Sequence, residues 1–116
     1  MSTRELAAIQ SILTKALLKA REAGAVRIRT LQLALGELSE LDRDSIRRHW
    51  GEISRGTPAE RARLDFRSIR AEVQCMACFM KYHPRDGEIH CPGCGSYGAK
   101  ILAGEEFNLE AIELDE

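Results

Sequence analysis

Four cysteines carry the chemistry of this sequence, and they occur as two Cys-x-x-Cys pairs. The first pair is Cys75 and Cys78, the second is Cys91 and Cys94, and twelve residues separate the pairs. Each pair can direct two thiolates at one point, and the residues between the pairs can form a hairpin that brings them together. The spacing therefore predicts a tetrahedral zinc site. Because all four ligands would be protein thiolates, no coordination position stays open for water or substrate, which indicates a structural zinc.

Two other uses of the cysteines are less consistent with the sequence. Disulfides would need an oxidising compartment, whereas the chain begins Met-Ser-Thr-Arg-Glu, without the apolar segment of an export signal. A thioredoxin-like redox pair would leave the second Cys-x-x-Cys unexplained.

No apolar stretch has the length of a membrane span. We therefore expect a metal-binding protein of the cytoplasm that does not engage a membrane.

The net charge of −1 is unevenly distributed along the chain. Residues 1–70 carry fourteen Lys and Arg against nine Asp and Glu, residues 71–104 carry three of each, and residues 105–116 carry six acids and no base. The cysteine segment thus lacks the clustered basic side chains that phosphate binding needs, so nucleic acid is not an expected partner. The basic N-terminal part favours docking to an acidic protein.

Helical spacing of apolar residues marks the first element, with Leu6, Ile9, Leu13, Ala16, Leu17 and Ala20 on one face. Ser2 and Glu5 fit a capping box and Gly24 fits a C-cap, which predicts a helix from about Thr3 to Ala23. A second helix is predicted from near Asp42 to Gly56. Its apolar face contains Ile46, His49, Trp50 and Ile53.

Alternating apolar residues predict the strands. Leu31, Leu33 and Leu35 alternate, whereas Val26 and Ile28 have the opposite phase, which predicts a bulge or a late start of this strand. A turn at residues 36–39 follows. One or two strands leading to the cysteines are predicted from Leu64, Phe66, Ile69, Ala71 and Val73. A last strand is predicted from Phe107, Leu109, Ala111 and Ile112.

This order of elements predicts an α+β fold, in which two helices pack on a small mixed β-sheet and a four-cysteine zinc-ribbon-like module is inserted before the last strand. Residues 1–71 and 105–116 are expected to form the α+β body. Residues 72–104 are expected to form the zinc-binding module.

Several segments, in order, resemble the HypA family of nickel metallochaperones. They are Gln10-Ser11-Ile12-Leu13, Leu33-x-Leu35-Gly36-Glu37-Leu38-Ser39, Gly56-Thr57 with Ala59-Glu60, and Cys91-Pro92-x-Cys94-Gly95-Ser96. The resemblance extends from about Leu6 to the C-terminus. It implies an α+β fold with a separate zinc module. It also implies nickel delivery to [NiFe]-hydrogenase, or to urease in some bacteria, with a HypB-type GTPase and the hydrogenase large subunit as protein partners.

The sequence departs from this family at the nickel site. The family binds nickel through an N-terminal Met-His-Glu, and the matching stretch here is Arg4-Glu5-Leu6, preceded by Ser2 and Thr3. Arg4 stands at the position of the His, and a guanidinium is not a metal ligand. The nickel ligands of this chain are therefore unknown from the sequence. A capped helix start explains Ser2 and Glu5 without nickel.

The three histidines are candidates for supporting roles. His90 is adjacent to Cys91 and could orient that thiolate or replace a cysteine as ligand, and the alternative is a solvent-facing loop residue. His83 lies where a hairpin is predicted between the pairs, and His49 fits a part-buried packing residue of the second helix.

The sequence leaves two functions open. No motif places a nucleophile–base pair, a phosphate loop or paired catalytic carboxylates, so we do not expect an enzyme. The first function is a HypA-like maturation factor, stabilised by zinc, that assists nickel insertion. The alternative is a diverged protein-interaction adaptor that keeps the zinc scaffold and no longer binds nickel.

Overall fold

The computed structural model describes residues 3–85 and 90–115, which contain two helices and six strands. In chain order these are α1 (Thr3–Glu22), β1 (Arg27–Gly36), α2 (Arg43–Ile53), β2 (Arg63–Ile69), β3 (Glu72–Cys75), β4 (Lys81–Tyr82), β5 (Ala99–Ala103) and β6 (Phe107–Asp115). The strands form two three-stranded sheets with the orders β2-β1-β6 and β4-β3-β5. The α+β fold is confirmed, and its strands are divided between two sheets. In the described part of the chain, neither helix is long and apolar enough to cross a membrane.

Helix α1 ends as the sequence predicts. Gly24 has φ 69°, its amide donates to Arg21 O, and the Ala25 amide donates to Ala20 O. This pair of hydrogen bonds is a Schellman motif, which needs a left-handed residue and so favours glycine. The buried face of the helix comprises Ile9, Ile12, Leu13, Ala16 and Ala20. The predicted N-cap, Ser2, lies outside the described residues.

Helix α2 begins as predicted but ends earlier. Asp42 is its N-cap, and its carboxylate accepts a hydrogen bond of 2.9 Å from the Ser45 amide. The helix ends at Ile53 rather than Gly56, because Ser54 becomes the C-cap and its hydroxyl donates back to Trp50 O at 2.6 Å. Residues 54–61 then form turns that lead to β2.

Strand β1 changes its buried phase halfway along. Ile28 and Thr30 are buried while Arg27 is exposed, and from Leu31 onward only Gln32 is exposed. The predicted change of phase therefore lies inside the strand, which begins at Arg27 rather than later. As the central strand of its sheet, β1 is hydrogen-bonded along both edges, and its C-terminal half is buried on both faces.

By internal contacts the chain forms two units. The first comprises residues up to Ala34, Leu41–Arg67 and residues from Phe107 onward, and in it α1 packs against α2 and β6. Two exposed ion pairs link strands of its sheet, Arg29 with Asp115 at 3.1 Å and Arg67 with Glu110 at 2.6 Å. Exposed pairs of this kind stabilise a fold only slightly.

The second unit comprises Leu35–Glu40 and Ser68–Glu106. Its short segment 35–40 is held by hydrogen bonds from the Gly36 amide to Glu106 O (2.8 Å) and from the Leu38 amide to Gly104 O (2.7 Å). The backbones approach closely here, because a Cβ at Gly36 would fall on the carbonyl group of Gly104. The turn predicted at residues 36–39 is thus part of the packing of this unit.

Candidate metal centre

A three-stranded antiparallel sheet supports the four cysteines. Strand β3 pairs with β4 on one side and with β5 on the other, so that Gln74 lies opposite both Lys81 and Lys100. Cys75 is the last residue of β3, and its amide donates to Met80 O at 2.9 Å. The first Cys-x-x-Cys therefore forms the turn of the β3–β4 hairpin.

The first cysteine of each pair is buried and the second is exposed. Cys75 is 0% exposed and Cys91 is 1% exposed, while Cys78 and Cys94 face solvent. The buried pair packs in a small core with Val73 and Tyr82, with Ala99 against it. In so small a core, a metal bound by the four cysteines would add substantially to the stability of the unit.

The four sulfur atoms lie within 4.8 Å of one another. Cys75 Sγ is 3.5 Å from Cys94 Sγ, and Cys78 Sγ is 3.6 Å from Cys91 Sγ. A tetrahedral site with Zn–S bonds of about 2.3 Å has sulfur–sulfur distances of about 3.8 Å. The structure thus brings all four predicted cysteines into an arrangement that suits a tetrahedral thiolate site.

Backbone amides stabilise the thiolate form of the buried cysteines. The amides of Cys78 and Ala77 donate to Cys75 Sγ at 3.5 and 3.4 Å, and they lower the pKa of the Cys75 thiol to about 6 against the opposing effect of burial. In the second turn the amides of Cys94 and Gly93 lower the pKa of Cys91 in the same way. Such thiolates are ready to bind a cation.

The pKa values of the two exposed cysteines, Cys78 and Cys94, are raised instead. The Ser96 amide acts to lower the pKa of Cys94, but the hydrogen bond with Cys75, partial desolvation, and the hydrogen bonds with Cys78 and Cys91 together outweigh it and raise that pKa to about 12. The buried and exposed cysteines differ in pKa because the four neighbouring sulfurs share protons and so titrate together. A divalent cation removes the need to share protons, because it lets all four thiols ionise.

None of the three histidines belongs to the sulfur cluster. His83 follows β4, and its Nδ1 is 2.7 Å from Ala71 O. His90 is exposed, and its ring stacks on Tyr97 with a centroid distance of 5.2 Å. His49 is buried on α2, and its Nδ1 has no hydrogen-bond partner among the described residues. Both His83 and His90 line a cavity beside Tyr82, whose buried hydroxyl also has no partner in the described part of the chain.

Arg4 lies in the first turn of α1 and is exposed. Among the described residues the sulfur cluster is the one group of three or more metal-ligating side chains, so the structure identifies no second metal site near Arg4.

Two surface features were not predicted from the sequence. Phe79, directly after the first Cys-x-x-Cys, is 67% exposed and has φ 65°. On the first unit, the guanidinium carbons of Arg43 and Arg47 lie 5.6 and 5.0 Å from the ring centroid of Phe66. Spacing along a predicted helix and strand does not show which side chains of the two elements will meet. The positive φ of Phe79 had a signal in the sequence. Gly95 occupies the equivalent position after the second Cys-x-x-Cys, and a glycine there indicates a left-handed residue.

The chain is similar to proteins of one kind over almost its whole length. A family model described as hydrogenase/urease nickel incorporation, metallochaperone, hypA matches residues 3–114. A hydrogenase maturation factor HypA of Dehalococcoides mccartyi is 33% identical over 97% of this chain and 94% of the relative, and that of Aquifex aeolicus is 29% identical over 96% of each. The nickel metallochaperone HypA of Helicobacter pylori has the same fold, with a TM-score of 0.68, 21% identity and coverage of 95% of this chain and 96% of that one.

Proposed function

Because the chain belongs to the HypA family of hydrogenase and urease nickel-incorporation metallochaperones, we propose that it assists nickel insertion into such an enzyme without catalysing a reaction. The match over residues 3–114 carries this proposal, since it includes both the helical unit and the cysteine unit. A host strain that lacks the gene should lose hydrogenase or urease activity. Excess nickel in the medium should restore part of that activity if the defect is one of nickel supply.

We propose that Cys75, Cys78, Cys91 and Cys94 bind one structural zinc ion. The sulfur–sulfur distances and the amides directed at Cys75 and Cys91 support this assignment. Zinc would hold residues 72–104 as a module, and residues 1–71 and 105–116 would form the α+β body, except that segments 35–40, 68–71 and 105–106 belong by internal contacts to the unit of the cysteines. A Cys75→Ser variant should lose zinc and the amide NMR signals of folded residues near the cysteines, with the signals of α1 and α2 retained.

The proposed protein partners are a HypB-type GTPase and the hydrogenase large subunit, in the cytoplasm. Reduced thiols that bind metal suit a reducing compartment. The exposed arginines of α2 suit an acidic partner surface, since Arg43 and Arg47 make no ion pair among the described residues.

The docking proposal is tested by charge reversal on α2. Arg47→Glu with Arg48→Glu should slow association with a purified maturation partner, and the difference from the unmodified chain should shrink as salt is added. Lys15→Glu with Lys19→Glu, on the exposed face of α1, is a control with the same change of charge. Equal slowing by both pairs would show a general charge effect and no docking site on α2.

A second function, that of an adaptor without nickel, is favoured by one observation. Arg4 replaces the His that the family uses as a nickel ligand, and its guanidinium repels a cation. Nickel titration of the zinc-loaded protein separates the two functions. One nickel bound per chain with micromolar affinity supports the metallochaperone, and no binding supports the adaptor.

A further inference from the structure

The two Cys-x-x-Cys turns have the same backbone arrangement. In the first, the Phe79 amide donates to Cys75 O at 3.0 Å, and in the second, the Gly95 amide donates to Cys91 O at 2.9 Å. Phe79 has φ 65° and Gly95 has φ 80°. The residue after each pair must therefore adopt the left-handed region, which suits glycine and is strained for a phenylalanine.

Among the described residues of the cysteine unit, no packing contact explains the choice of Phe79. Its side chain is 67% exposed and is not part of the buried cluster around the cysteines. It is the one residue other than glycine with a positive φ in the described part of the chain. A strained backbone that displays an aromatic ring to solvent points to a role outside the fold.

Two lysines flank Gln74, whose side chain contacts the Phe79 backbone. The Gln74 side chain donates to Phe79 O at 3.0 Å, and Gln74 pairs in register with Lys81 on one side and Lys100 on the other. Residues opposite each other in a sheet share a face, so Gln74 and both lysines line one face. Both lysines are exposed, and neither forms an ion pair among the described residues.

We propose that Phe79, Gln74, Lys81 and Lys100 form a docking surface for an acidic segment of a maturation partner. The two ammonium groups fit carboxylates of that segment, and the aromatic ring fits an apolar side chain between them. The inference rests on the proposed function for the identity of the partner. It differs from the proposed docking by α2, because it assigns recognition to the metal-binding unit itself.

The test measures two properties of the zinc-loaded full chain. The first is affinity for the purified HypB-type GTPase and hydrogenase large subunit of the host, by calorimetry at low and high salt. The second is zinc retention against a chelator. Phe79→Gly should weaken binding to one partner by about tenfold. It should also increase zinc retention by about threefold, because relief of strain outweighs the larger backbone entropy of glycine.

Further variants distinguish the contribution of the Phe79 ring from that of its backbone conformation. Phe79→Asn adopts the left-handed region readily and should weaken partner binding as Phe79→Gly does, whereas Phe79→Leu should keep part of the affinity. Lys81→Gln with Lys100→Gln should weaken binding chiefly at low salt, and Lys15→Gln with Lys19→Gln should not.

Three results would overturn the inference. Partner binding that is unchanged by the Phe79 and lysine variants overturns this docking surface and leaves the proposed function standing. Failure of the unmodified chain to bind either protein overturns the surface together with the proposed partners. A loss of zinc retention in Phe79→Gly would show that Phe79 is there for the fold, which also contradicts the inference.

Discussion

Replacing Gly36 with alanine should destabilise the second unit severely. The added Cβ would fall on the carbonyl group of Gly104 and lie 2.8 Å from the Glu105 amide nitrogen. Both neighbours are backbone atoms, so no side-chain rotation can relieve the clash. The two backbone segments must separate, which weakens the hydrogen bonds from the Gly36 amide to Glu106 O and from the Leu38 amide to Gly104 O.

The magnitude follows from these contacts. Two weakened hydrogen bonds cost about 1 kcal/mol each, and a forced backbone shift costs about 1–3 kcal/mol more. The sum, about 3–5 kcal/mol, is a large part of the about 5–15 kcal/mol that stabilises a typical domain. Amide hydrogen exchange of the zinc-loaded protein is the assay, since it reports the opening free energy of each unit separately.

Gly51→Ala is the matched control. Gly51 lies in α2 and a Cβ there would meet nothing within 4 Å, so alanine should stabilise that helix by up to about 1 kcal/mol. A change in the opening free energy of the second unit smaller than about 1 kcal/mol, roughly the cost of a single hydrogen bond, would contradict this prediction. It would show that the close approach of Gly36 to Gly104 does not constrain the unit.

Three further predictions concern α2, the first sheet and the N-terminus. Asp42→Ala should destabilise the first unit by about 1 kcal/mol in urea unfolding, because it removes the N-cap hydrogen bond. Asp42→Asn should be close to neutral, since an amide oxygen can also accept this bond. Equal destabilisation by both variants would contradict the role of Asp42 as N-cap. The Arg67 guanidinium lowers the pKa of Glu110, so this pair stabilises the fold at neutral pH and the stabilisation is lost as pH falls through that lowered pKa. Arg67→Gln should raise the pKa of Glu110 in an NMR titration, and an unchanged pKa would show that the pair does not form in solution. Deleting residues 2 and 3 with Arg4→His should increase nickel affinity in calorimetry, since an imidazole replaces a cation; equal affinity of the two proteins would show that nickel is bound elsewhere.

Local signals in the sequence were sufficient for the main elements. Gly24 marked the end of α1 because the Schellman motif depends on one left-handed residue. Asp42 marked the start of α2 because its carboxylate is the cap. The two Cys-x-x-Cys pairs predicted the sulfur cluster, because the turn geometry is local to each pair and the separation between the pairs permits a hairpin.

Features that depend on pairing between distant residues could not be predicted. Strands β4 and β5 are short and partly exposed, so they lack an apolar alternation, and the sheet around the cysteines was missed. The early end of α2 depends on a hydrogen bond of Ser54, a residue that also fits a helix interior. The packing of Gly36 against Gly104 joins residues far apart in sequence.

Metal content tests the central claim most directly, namely that this HypA-family chain folds around a structural zinc. Elemental analysis and X-ray absorption of the purified protein should show one zinc per chain with four sulfur ligands at about 2.3 Å. A Cys91→Ser variant should lose that zinc together with the fold of the cysteine unit. Purified protein in which the cysteine unit is fully folded without zinc, or a zinc that has nitrogen or oxygen ligands in place of the thiolates, would contradict the account.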